Sequence, residues 1–107
     1  MHYQLSHTKK HFAYFLSKKT LAAITETAAL EFAPRITVNA VAPGLILPPP
    51  GQGLAYLKRL RHTNPLAAYG HPADIADAVV FLLKSRFITG QVIFVDGGRH
   101  LLGVRHG

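Results

Sequence analysis

The sequence predicts an α/β fold of about three helices and two parallel strands, belonging to a larger parallel sheet. The predicted elements follow the order helix, strand, helix, helix, strand, which is typical of a crossover between parallel strands. Residues 92–95 are apolar without alternation, as in a strand covered on both faces. Because two strands alone do not make a stable sheet, we expect these residues to be about half of a domain.

The first helix is predicted from about His11 to Phe32, and Pro34 ends it. Its apolar residues recur at helical spacing and predict a buried stripe with a second stripe beside it. The first stripe is Leu16, Ala23, Thr27 and Leu30, and the second is Leu21, Ile24 and Ala28. Residues 36–41 are rich in β-branched side chains and predict a strand. Ala42-Pro43-Gly44 ends this strand.

In the second half of the chain, loops that contain proline and glycine alternate with short helices and a strand. Prolines and glycines exclude regular structure over residues 45–53. A second helix is predicted over Leu54–Arg61, and a third from Pro72, which suits a first helical position, to near Lys84. The inward residues of the third helix are Ile75, Ala78, Val79 and Leu82.

Composition restricts the class of protein. The chain has 107 residues, 49% hydrophobic and 16% charged, which predicts one ordered domain at most. It contains no cysteine, which excludes disulfides and favours a cytoplasmic location. No apolar stretch suits a signal peptide or a bilayer span, so we expect no membrane association. The net charge of +7 comes from scattered basic residues, so we expect no nucleic-acid partner.

Two histidines raise the question of a metal site. His7 and His11 are four residues apart and could share a helix face. Lys9 and Lys10 lie between them and repel a cation, and two histidines do not complete a tetrahedral site. We therefore predict no metal.

Tyr14 and Lys18 are also four residues apart, near the start of the first helix. This spacing places both side chains on one helix face. A positive charge beside a phenol oxygen favours the phenolate, which makes such a tyrosine better at giving and taking a proton. Pairs of this kind also occur by chance on solvated helices. The pair alone therefore leaves a catalytic role and a surface role open.

The residues around this pair resemble the C-terminal half of the short-chain dehydrogenase/reductase family over about residues 12–100. Each matching segment is weak alone, but the ordered set is specific. The segments are Tyr14-x-x-x-Lys18, Ala29-Leu30-Glu31-Phe32-Ala33-Pro34, residues 36–44, Pro65-Leu66, residues 70–76 and residues 87–98.

The resemblance implies the C-terminal portion of a Rossmann-type doubly wound parallel sheet, and an oxidoreductase that uses NADP or NAD, with NADP preferred. It implies that Tyr14 protonates a carbonyl or imine as hydride arrives, and that Lys18 binds the nicotinamide ribose. Pro43 and Gly44 would lie against the nicotinamide ring, and the Ile46 backbone would meet the carboxamide. The plainer alternative is that Pro43-Gly44 only ends a strand.

Two further segments have both a functional and a plain interpretation. The resemblance places Asp96-Gly97-Gly98 beside the substrate region, whereas the plain interpretation is an ordinary turn. Asn39 is expected to brace a turn rather than to touch a ligand.

Some residues depart from the family pattern. Many members have a threonine where this chain has Pro48, which offers neither a hydroxyl nor a backbone donor. The run from Leu45 to Gly51, and the ending from Val95 to His100, are more similar to the pteridine-reductase-like branch. A proline-walled apolar pocket suits a conjugated ring, so a pterin is the preferred substrate.

The 107 residues contain no G-x-x-x-G-x-G turn of the kind that holds a dinucleotide pyrophosphate. We therefore expect one partial domain over residues 1–107, with residues 1–10 irregular and residues 99–107 a C-terminal tail. Such a fragment would retain the proton-transfer pair and be inactive alone. The alternative is a noncatalytic short form that acts by joining the homo-oligomer of a full-length relative.

Overall fold

The computed structural model describes residues 7–44 and 46–106. The elements are helix α1 (His7–Phe32), strand β1 (Ala40–Pro43), helix α2 (Leu54–Leu60), helix α3 (Pro72–Lys84) and strand β2 (Val92–Val95). A 3₁₀ helix follows α2 at Arg61–Thr63, and another follows β2 at Arg99–His106. The predicted α/β order is confirmed.

The two strands lie side by side and run parallel. Their register pairs Ala40 with Val92 and Pro43 with Val95. Helix α3 connects them in sequence and packs against both, while α1 packs against β2. The carboxyl ends of β1 and β2 therefore meet at one edge of the sheet, which is where open α/β sheets bind ligands. All four β2 residues are half-buried. The strand is therefore less buried than the apolar run predicts for a strand covered on both faces.

Strand β1 begins later than predicted. Residues 36–39 lie outside the strand, and side chains supply part of the hydrogen bonding between the two segments there. The Thr89 hydroxyl accepts the Val38 N–H at 3.0 Å. The Asn39 amide donates to the Ile88 carbonyl at 3.2 Å, and its oxygen accepts the Gln91 N–H at 3.0 Å. Asn39 thus braces the entry to both strands, as predicted.

Helix α1 begins at His7, so residues 7–10 are helical rather than irregular. Residues 1–6 lie outside the described part of the chain. The predicted stripe is also wrong, since Leu16 and Leu30 are 54% and 82% exposed. The buried residues are instead Thr25 and Ala29, each 4% exposed. Apolar residues occur all round α1, so their spacing could not identify the face that packs on the sheet.

Helix α3 has the predicted bounds. Pro72 opens it, and the Asp74 carboxylate accepts the His71 N–H at 2.8 Å, which caps the first turn. Leu82 is buried, but Val79 is exposed rather than inward. Helix α2 ends at Leu60, one residue before the predicted end, because Arg61 begins the 3₁₀ helix.

The apolar core is small compared with the apolar surface. Only Ala29, Leu57 and Leu82 are buried apolar side chains among the residues described. The radius of gyration is 15.9 Å, whereas a compact domain of this length has about 13 Å. Large apolar side chains are exposed on α1 and α3, among them Phe12, Phe15, Ile24, Phe81 and Leu83. Within the described residues, no helix combines the length and apolarity required to cross a membrane.

Candidate active site

Tyr14 and Lys18 lie together on one face of α1, as their spacing predicts. The Lys18 Nζ atom is 5.4 Å from the centroid of the Tyr14 ring. Tyr14 is 48% exposed and Lys18 is half-buried, so a ligand can reach the phenol from solvent. The helix thus brings a phenol and an ammonium together in its N-terminal half, and their role in acid/base chemistry stays a prediction.

The chain after β2 holds the Lys18 ammonium in place. Nζ donates a hydrogen bond of 3.0 Å to the main-chain carbonyl of His100. It also lies 5.2 Å from the centroid of the Phe94 ring, on which the His100 ring stacks at 4.2 Å. Since an ammonium has three N–H donors, two remain for other acceptors after the bond to His100.

His100 is in turn fixed by Asp96. The Asp96 carboxylate accepts the backbone N–H groups of Gly98 and His100, both at 2.9 Å. It also contacts the His100 Nδ1 atom at 2.9 Å. Burial raises the pKa of Asp96, but the hydrogen bonds from the His100 ring and from the two backbone groups outweigh it. The pKa of Asp96 therefore lies below its ordinary value of 3.8.

The turn 96–98 requires glycine at two positions. Gly97 and Gly98 have φ angles of 64° and 89°, in the left-handed region that other residues rarely adopt. The segment is therefore a specific turn, capped by its own aspartate, that directs the chain back toward α1. Its predicted place beside a substrate remains a prediction.

The predicted cofactor residues lie at the end of β1: Pro43 is its last residue, and Gly44 and Ile46 follow it. Pro43 is exposed at the carboxyl end of the strand. The Gly44 N–H donates to the Val95 carbonyl at 3.0 Å, and a Cβ at Gly44 would come within 2.6 Å of the Asp96 backbone. Only glycine fits this contact. Ile46 is half-buried and packs against Gly70.

One turn thus connects the two groups of predicted residues. Asp96 touches Gly44 on one side and His100 on the other, and the His100 carbonyl holds Lys18. Sequence reasoning missed His100 and Phe94 as parts of the site. No spacing rule relates Lys18 to a carbonyl that follows it by 82 residues.

The structure offers no metal centre among the residues it describes. No group of three or more histidine, aspartate or glutamate side chains in this part of the chain is arranged to hold an ion. His7 and His11 lie on α1, but their side chains are outside the description.

Comparisons with known proteins agree with this architecture. A family model described as Enoyl-(Acyl carrier protein) reductase matches residues 2–100. The chain is 49% identical over 90 residues to Carbonyl reductase family member 4 of Danio rerio, which aligns 83% of this chain with 38% of that protein. It is 38% identical over 92 residues to a dihydromonapterin reductase of Citrobacter koseri, with 86% and 38% covered.

A solved structure gives the same result. The crystal structure of FolM Alternative dihydrofolate reductase 1 from Brucella canis, complexed with NADP, superposes with a TM-score of 0.71 at 41% identity. The superposition covers 84% of this chain and 36% of that one. The chain therefore spans less than two-fifths of the length of the relatives it matches. The two pterin-related names fit the pteridine-reductase-like branch.

Proposed function

The chain belongs to the short-chain dehydrogenase/reductase family and matches its C-terminal half, and from that premise we propose that it supplies the proton-transfer half of an NADP-dependent reductase. Tyr14 is the general acid/base of this proposal, and Lys18 is its cationic partner. The observation that carries the proposal is the placement of the Lys18 ammonium beside the Tyr14 ring, with the ammonium anchored to the His100 carbonyl.

NADPH, when bound, supplies a hydride to the carbon of a carbonyl or imine. The Tyr14 hydroxyl donates the proton to the oxygen or nitrogen of that bond. The Lys18 ammonium lies beside the Tyr14 ring during this transfer, held there by the His100 carbonyl. Its two remaining N–H groups can donate to ribose hydroxyls. Pro43 ends a parallel strand and Gly44 and Ile46 follow it, a position that suits the nicotinamide end of the cofactor.

The residues present fit one end of the cofactor better than the other. These 107 residues contain no glycine-rich turn after a strand, so nothing in them can hold the pyrophosphate in the usual manner. We therefore propose that these 107 residues alone neither turn over substrate nor bind NADPH tightly. A fluorescence titration of the purified chain with NADPH tests the predicted weak binding, and saturation at micromolar NADPH would contradict it.

We propose a pterin as the substrate class. The support is the proline run Pro48-Pro49-Pro50 after β1, which suits a flat conjugated ring, together with the dihydromonapterin reductase and FolM relatives. The main alternative is a carbonyl substrate, because other relatives are a carbonyl reductase family member and a putative ketoacyl reductase.

A chimera tests the reductase role directly. The matching segment of the Brucella canis protein would be replaced by residues 12–100 of this chain, and NADPH oxidation would be followed with a dihydropterin and with a ketone. We expect activity toward the dihydropterin, and a loss of about 10²–10⁴-fold in kcat when Tyr14→Phe removes the proton donor. The Tyr56→Phe chimera, altered on α2, is the matched control. A Tyr14→Phe chimera that binds NADPH and keeps full activity would refute the assignment.

A second candidate function is a noncatalytic short form that joins a full-length relative. It is supported by the large apolar side chains exposed on α1 and α3. Such surfaces usually mark interaction sites. Co-expression of the tagged chain with a full-length relative, followed by size-exclusion chromatography with light scattering, tests it. A mixed assembly would favour this function, and two separate species would exclude it.

A further inference from the structure

A cavity of about 410 Å³ opens at the carboxyl ends of the two strands, on the side of α3. Three of the five acidic residues in the chain contribute to its wall, namely Asp74, Asp77 and Asp96. None of its described lining residues is a lysine, arginine or histidine. In a chain with a net charge of +7, this is a local concentration of negative charge.

The three carboxylates differ in how far their own chain satisfies them. Asp96 accepts hydrogen bonds from Gly98 and His100, and one oxygen of Asp74 accepts the His71 N–H. Asp77 has no hydrogen-bond or ion-pair partner among the residues described. Since Asp74 and Asp77 are three apart on α3, their carboxylates project from one helix face. The cavity therefore presents acceptors that the fold leaves available.

A second observation comes from Asn64, which is 6% exposed and lines the same cavity. Its Nδ2 atom donates to the Ala68 carbonyl at 2.7 Å. Its Oδ1 atom is buried and accepts no hydrogen bond within the described part of the chain. Exchanging the two amide atoms would set an oxygen against the Ala68 carbonyl, so rotation of the amide does not satisfy both atoms. A buried acceptor without a donor costs stability.

The position of this oxygen is fixed by its neighbour on the cavity wall. A Cβ on Gly97 would lie 2.6 Å from Asn64 Oδ1, so only glycine leaves room for the amide. Gly97 itself lines the cavity. The wall thus combines an unsatisfied carbonyl oxygen with carboxylates, all of them acceptors.

We infer that this cavity binds a small organic cation with several N–H groups, of the guanidinium or amidinium class. Such a group offers positive charge and a fan of donors, and it forms strong charge-assisted hydrogen bonds with carboxylates. The cavity volume is that of a small-molecule site. A divalent metal fits less well, because no three acidic or histidine side chains in the described residues converge on one point. Ile46, a proposed cofactor residue, also lines this cavity, but the inference rests on the acceptors in the wall and not on the reductase role.

Methylguanidinium chloride is the probe. It would be titrated at low ionic strength into the ¹⁵N-labelled chain and followed by ¹H–¹⁵N spectra. We expect saturable shifts of the Asn64 side-chain amide and of the Asp77 and Gly97 backbone amides. Urea has similar donors without charge, and tetramethylammonium has the charge without donors. Neither should produce saturable shifts at these three residues.

Two variants that each remove one negative charge make the test specific. Asp77→Asn should weaken methylguanidinium binding about tenfold, since a charge-assisted bond is lost. Glu31→Gln, on α1 and outside the cavity wall, should leave the affinity unchanged. Added salt should weaken binding to the unaltered chain. The inference is overturned if the three residues do not respond, if urea shifts them equally, or if both variants bind alike.

Discussion

The Lys18 ammonium donates a hydrogen bond of 3.0 Å to the main-chain carbonyl of His100, which lies 82 residues further along the chain. This bond connects the helix that carries Tyr14 to the turn that follows β2. Because Asp96 fixes His100 and contacts Gly44, the same turn also sets the end of β1. The relative position of the proposed proton donor and the strand ends therefore depends on a few residues after the last strand.

Replacing Lys18 by methionine removes the ammonium but keeps an unbranched apolar side chain. We expect Lys18→Met to lower the free energy of unfolding by about 1 kcal/mol, the usual contribution of one hydrogen bond. Lys19→Met is the matched control, because Lys19 is exposed and its Nζ lies over Phe15 on the same helix, 5.2 Å from the ring centroid. Urea unfolding followed by circular dichroism measures both. Equal losses in the two variants would show that the His100 contact contributes nothing.

Asp96 should make stability depend on acid pH. Its pKa is lower in the folded chain than the ordinary 3.8, so its contribution is complete above that value and is lost as pH falls through the folded pKa. We expect Asp96→Asn to cost about 1–3 kcal/mol at pH 6. The difference from the unaltered chain should shrink below about pH 3.8. Unfolding free energies across this range measure it, and a difference that grows toward low pH would reverse the assigned sign.

Gly44 should not accept a side chain. A Cβ there would lie 2.6 Å from Asp96 Cα, so Gly44→Ala must displace the backbone. We expect a loss of about 1–3 kcal/mol in unfolding free energy, the usual cost of overpacking. Gly53→Ala is the control, since a Cβ at that position would have nothing within 4 Å and the φ angle is −101°. Similar stabilities for the two alanine variants would contradict the close approach of the strand ends.

Two adjacent leucines of α3 have the same side chain but differ in burial, so they show how much burial contributes to stability. Leu82 is 8% exposed and Leu83 is 79% exposed. We expect Leu82→Ala to cost about 2–5 kcal/mol and Leu83→Ala to stay within about 0.5 kcal/mol. Thermal unfolding of the two variants distinguishes them. If Leu83→Ala were as damaging as Leu82→Ala, the exposed face of α3 would be covered in solution.

Sequence patterns predicted the order of elements and the bounds of α3 and β2 because proline, glycine and apolar runs mark them locally. They misplaced β1, because the Asn39 side chain makes two of the hydrogen bonds that connect the segments just before the strands. They also chose the wrong face of α1, where apolar residues surround the helix. The Tyr14–Lys18 pairing was predictable from helix geometry alone. The roles of His100 and Asn64 depend on contacts between distant segments, which no local pattern encodes.

Because α1 is long, the hydrogen bond between Lys18 and His100 has a large effect on where the N-terminal half of the helix lies. Residues 12–17 are exposed to solvent or nearly so, and the deepest contacts of the helix are at Thr25 and Ala29. With a rise of 1.5 Å per residue, Tyr14 lies roughly 22 Å from Ala29 along the axis. A tilt of about 5° around Ala29 would displace the phenol by about 2 Å, more than a hydrogen bond tolerates. Small tilts of the helix are therefore amplified at Tyr14, and the hydrogen bond between Lys18 and His100 restricts them.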